Sequence, residues 1–223
     1  MCGRFSQQRP ASELAEIFSA EPIVDDPGPR YNVAPTDEAL VVVQREDRRG
    51  VTAYRWGSSP TGPTARKVGS RMFNARAETL VGAPAFRDAF QRKRCLVPVE
   101  CFYEWRREGA VRQPYTIGRA DGGPLVLAGL WDGWRDPATD TGAPLVHDRH
   151  VGAERGDGDD PQPDAGDPPR GRLGRVARRA LRRPRPAARR CSNRATSRSS
   201  RSRAVSQLVN NVRNDGPELV VPI

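Results

Sequence analysis

The apolar positions of this chain fall into short, alternating runs separated by Gly, Pro and Asp, the pattern of strands joined by turns. Ala39–Gln44, Val51–Trp56, Leu96–Trp105, Pro114–Gly118 and Leu125–Trp131 read as strands. Asp26-Pro27-Gly28, Arg49-Gly50 and Asp121-Gly122-Gly123 read as turns. Two segments have helical spacing instead. Ala11–Ser19 places Leu14, Ile17 and Phe18 on one face with Ser12 as cap, and Pro84–Gln91 carries Phe86 and Phe90 four apart. Many strands and few helices predict an α+β, mostly β fold. The 223 residues suit a single domain with a sizeable core.

The pattern fails from about residue 136. No Phe, Trp or Tyr follows Trp134, and residues 149–203 are dominated by Arg, Ala, Pro, Gly, Asp and Ser. Such a composition buries too little apolar surface to offset chain entropy, so residues 145–203 are expected to be disordered. Residues 204–223 regain globular character with Leu208-Val209 and Leu219-Val220-Val221.

Charge follows the same division. The net charge of +10 invites a nucleic-acid reading, but residues 149–203 hold 16 Arg against 6 acidic residues and account for all of it. The remainder has 21 basic and 21 acidic residues. Cys2, Cys95, Cys101 and Cys191 form no CxxC pair, and His147 and His150 stand alone, so neither a metal site nor a cofactor is expected. Free thiols suggest a reducing cytoplasm, and no apolar run reaches membrane-spanning length.

Cys2 follows Met1, a residue readily removed when its neighbour is small. By position alone it is either an ordinary cysteine at a frayed terminus or, once Met1 is lost, a 1,2-aminothiol. Unperturbed α-amines and thiols titrate near about 8 and 8.5, so both nucleophiles are partly active at neutral pH. An aminothiol condenses with an aldehyde to an imine, and the thiol then closes a thiazolidine ring.

Met1-Cys2-Gly3-Arg4-Phe5, Tyr31-Asn32-Val33-Ala34-Pro35-Thr36, Arg55-Trp56-Gly57 and Asn74-Ala75-Arg76-Ala77-Glu78-Thr79 are distinctive together. Arg94-Cys95-Leu96-Val97-Pro98, Phe102-Tyr103-Glu104-Trp105, Ala128-Gly129-Leu130-Trp131 and Val209–Leu219 follow in order. In this order and spacing the chain resembles the SOS-response-associated peptidase family, or abasic site processing proteins, over residues 1–135 and 204–223. The resemblance implies strands around a narrow groove for single-stranded DNA, no cofactor, and a monomer. It implies a covalent cross-link between the N-terminal cysteine and the aldehyde of an abasic site. Cys2 matches the nucleophile, Glu104 the catalytic glutamate (a general acid/base), and Asn74 the active-site asparagine that holds the sugar hydroxyl or phosphate. Arg4 and Arg76 are candidate phosphate contacts, an ion pair with Glu78 or Glu104 being the alternative for Arg76; Trp56 and Phe73 are candidate platforms for unpaired bases, with core packing the commoner fate of such aromatics. Asn210, Asn211 and Arg213 are structural or groove-lining.

The chain also departs from the family. A His-x-Arg-Met-Pro segment is expected before the Asn-Asn-Val-Arg segment. His147-Asp148-Arg149 is followed by His150-Val151 and lies too close to Leu130-Trp131. Read one nucleotide later, the codons of residues 161–169 can spell His-Asn-Arg-Met-Pro-Val-Ile-Leu-Pro, and those of 170–178 an amphipathic helix with two Trp. Read one nucleotide earlier, Ser58–Thr64 can become Leu-Val-Pro-His-Trp-Ala, similar to the family's wedge against DNA. Two out-of-frame stretches, about 58–65 and 145–203, account for both departures and predict weakened cross-linking. Rival readings are a cysteine peptidase, which lacks a histidine base in frame, and a protein binding nucleic acid through the Arg/Ser run 192–203.

Overall fold

The computed structural model describes residues 3–57, 74–76, 84–135, 142–150 and 200–223; for 74–76, 84–86, 134–135 and 142–150 it describes the backbone alone. Twelve strands and two helices are present among these residues. They are β1 (Phe5–Gln7), α1 (Ala11–Phe18), β2 (Glu21–Pro22), β3 (Arg30–Val33), β4 (Glu38–Arg45), β5 (Arg48–Trp56), β6 (Asn74–Arg76) and α2 (Pro84–Arg92). Then come β7 (Arg94–Val99), β8 (Cys101–Glu108), β9 (Val111–Arg119), β10 (Leu125–Arg135), β11 (Gly142–His150) and β12 (Ser200–Ala204). Two 3-10 turns, Gln207–Asn210 and Pro217–Val220, end the chain. The mostly β, α+β expectation holds.

The strands form two sheets. One has the order β12-β9-β8-β1-β3, the other β2-β5-β4-β7-β10-β11-β6. In the second, β11 also pairs with β5, through Leu145 opposite Arg55 and Val146 opposite Trp56, so β5-β4-β7-β10-β11 close on themselves. The unbroken apolar run of β4 follows from burial on both faces. Ala39, Val41 and Val43 join Phe5, Tyr54, Trp56, Cys95, Val97 and Val99 in one cluster. Leu40 and Val42 turn the other way, onto Ala11, Leu14, Ala15 and Phe18 of α1. A second helix contact covers Leu130, which is fully buried against Ala89 with Phe90 beside it.

Several local expectations need correction. Leu96–Trp105 is not one strand: it breaks at Glu100 into β7 and β8, which belong to different sheets. Glu100 is held by the residues around β1, donating its N–H to Ser6 O and receiving Gln8 N and Arg9 Nη1 at its carboxylate. A period-two pattern runs straight through such a corner, so the apolar run looked continuous. Arg49-Gly50 is not the turn. The hairpin turns at Glu46-Asp47, where Glu46 has φ 51°, and Arg45 pairs with Arg48. Gly50 instead serves close approach, because a Cβ there would stand 2.0 Å from Ile23 Cδ1.

In α1 the cap position is Pro10, with no side-chain cap bond, and Ser12 lies inside the helix. Ile17 is exposed, and the buried stripe is Ala11, Leu14, Ala15 and Phe18. The expected disorder of 145–203 is wrong at both ends. Residues 145–150 belong to β11, and Ser200–Arg203 to β12, where backbone pairing with β9 makes few demands on side-chain type. Residues 151–199 lie outside the described residues.

Candidate active site

Register, rather than sequence proximity, brings the N-terminal chain to Glu104. Antiparallel pairing sets Phe5 opposite Phe102 and Ser6 opposite Cys101. The ladder continues with the Tyr103 N–H donating to Arg4 O at 2.9 Å. The residue after Tyr103 on β8 is Glu104, and the residue before Arg4 is Gly3. Strand alternation divides β8 between two surroundings. Phe102 packs against the cluster of Phe5 and Trp56, whereas Tyr103 is buried with Val205, Val209 and Leu219. Glu104 follows Phe102 and is half-buried.

The C-terminal segment is fastened to this corner by polar groups. Asn32, fully buried in β3, donates from Nδ2 to Asn214 O at 2.7 Å, Asn211 O at 3.1 Å and Val209 O at 3.3 Å. Its Oδ1 accepts from Arg4 Nη1 at 2.7 Å, and the same nitrogen donates to Val209 O at 2.8 Å. Asp215 accepts from the backbone N–H of Tyr31 and Asn32 and pairs with Arg30. Tyr103 donates its hydroxyl to Tyr31 O at 2.7 Å. Trp105 Nε1 donates to Asn210 Oδ1 at 2.6 Å, and its ring lies 5.9 Å from the Arg4 guanidinium carbon.

Burial sets the titration of this region. It pushes the Arg4 guanidinium below its ordinary value, opposed by the charge of Asp37. It pushes the Cys101 thiol up to about 12, with Glu100 adding to the effect. The Tyr103 phenol also rises, again chiefly through desolvation. Among the described residues no three His, Cys, Asp or Glu side chains converge as metal ligands.

Glu104 lies on β8 of the five-stranded sheet, and Arg4, just before β1, accepts the N–H of the adjacent Tyr103 at its carbonyl. Arg4 makes two bonds to the protein frame. Trp56 is in the core, 1% exposed and 4.7 Å from the Phe5 ring between centroids, so it offers no open face to a base. The backbones of Asn74 and Arg76 lie on β6, opposite Asp148 and His150 of β11, in the seven-stranded sheet. Cys2 and Phe73 lie outside the described residues. Asn210 and Asn211 fasten the frame, while Asn211 Oδ1 accepts the Arg213 N–H.

In the sequence, Asn32 and Asp215 stand out only as parts of motifs. The available signal for Asn32 was its chemistry: a polar side chain between apolar neighbours in a strand must find partners if buried.

Comparisons with known proteins agree with this architecture. Residues 1–147 match the family model of the SOS response associated peptidase (SRAP), and the chain belongs to that family. The abasic site processing protein YoqW of Bacillus subtilis is 34% identical over 140 residues, 61% of this chain and 62% of that protein. The abasic site processing protein YedK of Escherichia coli is 31% identical over 135 residues, 58% of this chain and 59% of that protein. The chain thus matches about three fifths of the length of these curated relatives. A crystal structure of a Bacteroides thetaiotaomicron protein shares the fold with a TM-score of 0.70 over the whole of both chains, at 18% identity. The family match ends at residue 147, just inside the segment where the sequence departs from the expected motifs. No helix among the described residues is long and apolar enough to cross a membrane.

Proposed function

We propose that this chain processes abasic sites in single-stranded DNA by forming a covalent link through Cys2 after removal of Met1. The observation that carries the reading is the register that pairs Phe5 with Phe102 and bonds the Arg4 carbonyl to the Tyr103 N–H, which brings the N-terminal chain to the residue preceding the half-buried Glu104. The names of the curated relatives support the substrate class.

The chemistry balances without a cofactor. A base-free deoxyribose opens to an aldehyde at C1′. The α-amine of Cys2 adds to that carbon, and loss of water gives an imine. The thiol adds to the imine carbon, forming the C–S bond, and its proton ends on nitrogen. The product is a thiazolidine, with one water released. Glu104 serves as general acid for the departing water and as base for the thiol proton. Asn74 holds the sugar hydroxyl or phosphate, and Arg76 contacts a phosphate. Phe73 stacks on an unpaired base.

The segments about 58–65 and 145–203 are read as out of frame, and the end of the family match at residue 147 supports this. The family histidine is then missing from the chain, and cross-linking is slow. Sequencing the gene tests the frame: codons 161–169 must be able to spell the missing motif when shifted.

Incubation with single-stranded DNA containing one abasic site, followed by a denaturing gel, tests the activity. A slow-migrating band that disappears in Cys2→Ser is expected. A folded protein that gives no such band refutes the proposal, and salt-sensitive affinity indifferent to the lesion would point to the basic segment instead.

A further inference from the structure

Arg4 is two residues from the proposed nucleophile, and its Nη1 is bonded within the protein. Nη1 has two protons, and both have protein acceptors: Asn32 Oδ1 at 2.7 Å and Val209 O at 2.8 Å. The second contact joins residues 205 apart in sequence. The backbone carbonyl of Arg4 accepts the Tyr103 N–H, the rung next to Glu104. Asn32 extends the network to Val209, Asn211 and Asn214, and Asp215 closes it on the N–H groups of Tyr31 and Asn32. The Trp105 ring flanks the guanidinium while Asn210 holds the indole N–H.

This network answers a mechanical problem. β1 is only three residues long and lies next to the N-terminus, where strands fray unless tied down. Chemistry at the second residue needs that end held within a fraction of an ångström of a catalytic group, because effective concentration falls steeply with misplacement. The ladder bond at Tyr103 alone leaves the rung free to open. A charged donor held by two acceptors, one on a buried side chain and one on the docked C-terminal segment, keeps it shut.

We infer that Arg4 is a positioning residue: clamped between Asn32 and Val209, it holds the first strand in register against Glu104 and makes the C-terminal segment 206–223 a structural part of the site. The inference rests on the cross-linking reaction proposed above. It assigns Arg4 to the protein frame rather than to a DNA phosphate.

The full-length chain, Arg4→Met and Arg4→Lys are compared by three measurements. Amide hydrogen exchange is followed at Tyr103 and, as reference, at Val42 in the β4–β5 ladder. Non-covalent affinity is measured with single-stranded DNA carrying a tetrahydrofuran abasic analogue, which has no aldehyde. The cross-linking rate constant is measured at saturating DNA with a true abasic site. In Arg4→Met the Tyr103 amide exchanges at least about tenfold faster and the saturating rate falls at least about tenfold, with affinity within about twofold of the parent. Arg4→Lys keeps a cationic donor and regains part of both losses.

A phosphate-binding Arg4 gives the opposite split: weaker affinity, a salt dependence shallower by about one ion, and an unchanged saturating rate and exchange. That result overturns the inference, as does no change at all. If the parent fails to cross-link, the proposed reaction falls, and exchange at Tyr103 alone decides the clamp. Arg4→Lys decides it likewise if Arg4→Met does not fold.

Discussion

Replacing Asn32 by Ala removes the centre of the polar network, and its cost can be worked from the contacts. Asn32 is fully buried, shares the two protons of its Nδ2 among three backbone carbonyls of the C-terminal segment and accepts one bond from a cation. A neutral bond contributes about 1 kcal/mol net, one to a charged group about 1.5–3 kcal/mol, and an orphaned buried partner costs a further 1–3 kcal/mol. These terms cannot all accrue. Once the segment detaches, its carbonyls return to water, so the loss is capped by the free energy that docks it. That docking buries Val209 and Leu219 completely, each contributing about 1.5–3 kcal/mol. The expected loss is about 3–4 kcal/mol, a large share of the roughly 5–15 kcal/mol that holds an ordinary domain together.

Urea denaturation followed by circular dichroism reads the global effect, and the rate of tryptic cleavage at Arg213 reads the local one. Asn32→Ala should lower the urea midpoint and speed cleavage at Arg213 at least about tenfold. Asn210→Ala, which removes only the partner of the Trp105 indole, should cost less than about 1 kcal/mol. Asn32→Ala within about 1 kcal/mol of the parent, with unchanged cleavage, would refute the idea that this side chain joins the two ends of the protein.

Three further outcomes are expected. Trp56→Ala should destabilise by about 3–5 kcal/mol through a core cavity; unchanged stability with weakened binding of single-stranded DNA would instead restore Trp56 as a base platform. Because burial raises the Cys101 thiol to about 12, the folded state favours the neutral thiol. Its stabilising effect is present below the unfolded value of about 8.5 and is lost as pH rises through about 12, with Tyr103 acting in the same direction. Urea midpoints at pH 8 and pH 10.5 should therefore differ less in Cys101→Ala than in the parent. Finally, a Cβ at Gly3 meets no described atom within 4 Å, so Gly3→Val should leave the urea midpoint unchanged. If the space beside Gly3 receives the sugar, the same change should slow cross-linking, measured on the denaturing gel.

The sequence determined what each stretch of backbone prefers and what its side chains can do. Alternation along β5 and β9, the helical stripe of α1 and the shared apolar run of β4 were legible because local periodicity records which faces are buried. The proposed aminothiol at Cys2 and acid/base role of Glu104 are statements about chemical type and motif, which the sequence alone can carry. The corner at Glu100 was not legible, since a period-two pattern looks the same whether a strand continues or passes into another sheet. Trp56 was not, since an aromatic ring suits both a base stack and a core, and only the ring of Phe5 against it decides. Arg4 was not, since a guanidinium fits a phosphate and a buried amide oxygen equally well. Its acceptors come from β3 and from a segment more than 200 residues away. Tertiary structure alone could make that choice, because a long-range hydrogen bond depends on how the chain ends meet in space, and nothing in the local sequence encodes that distance.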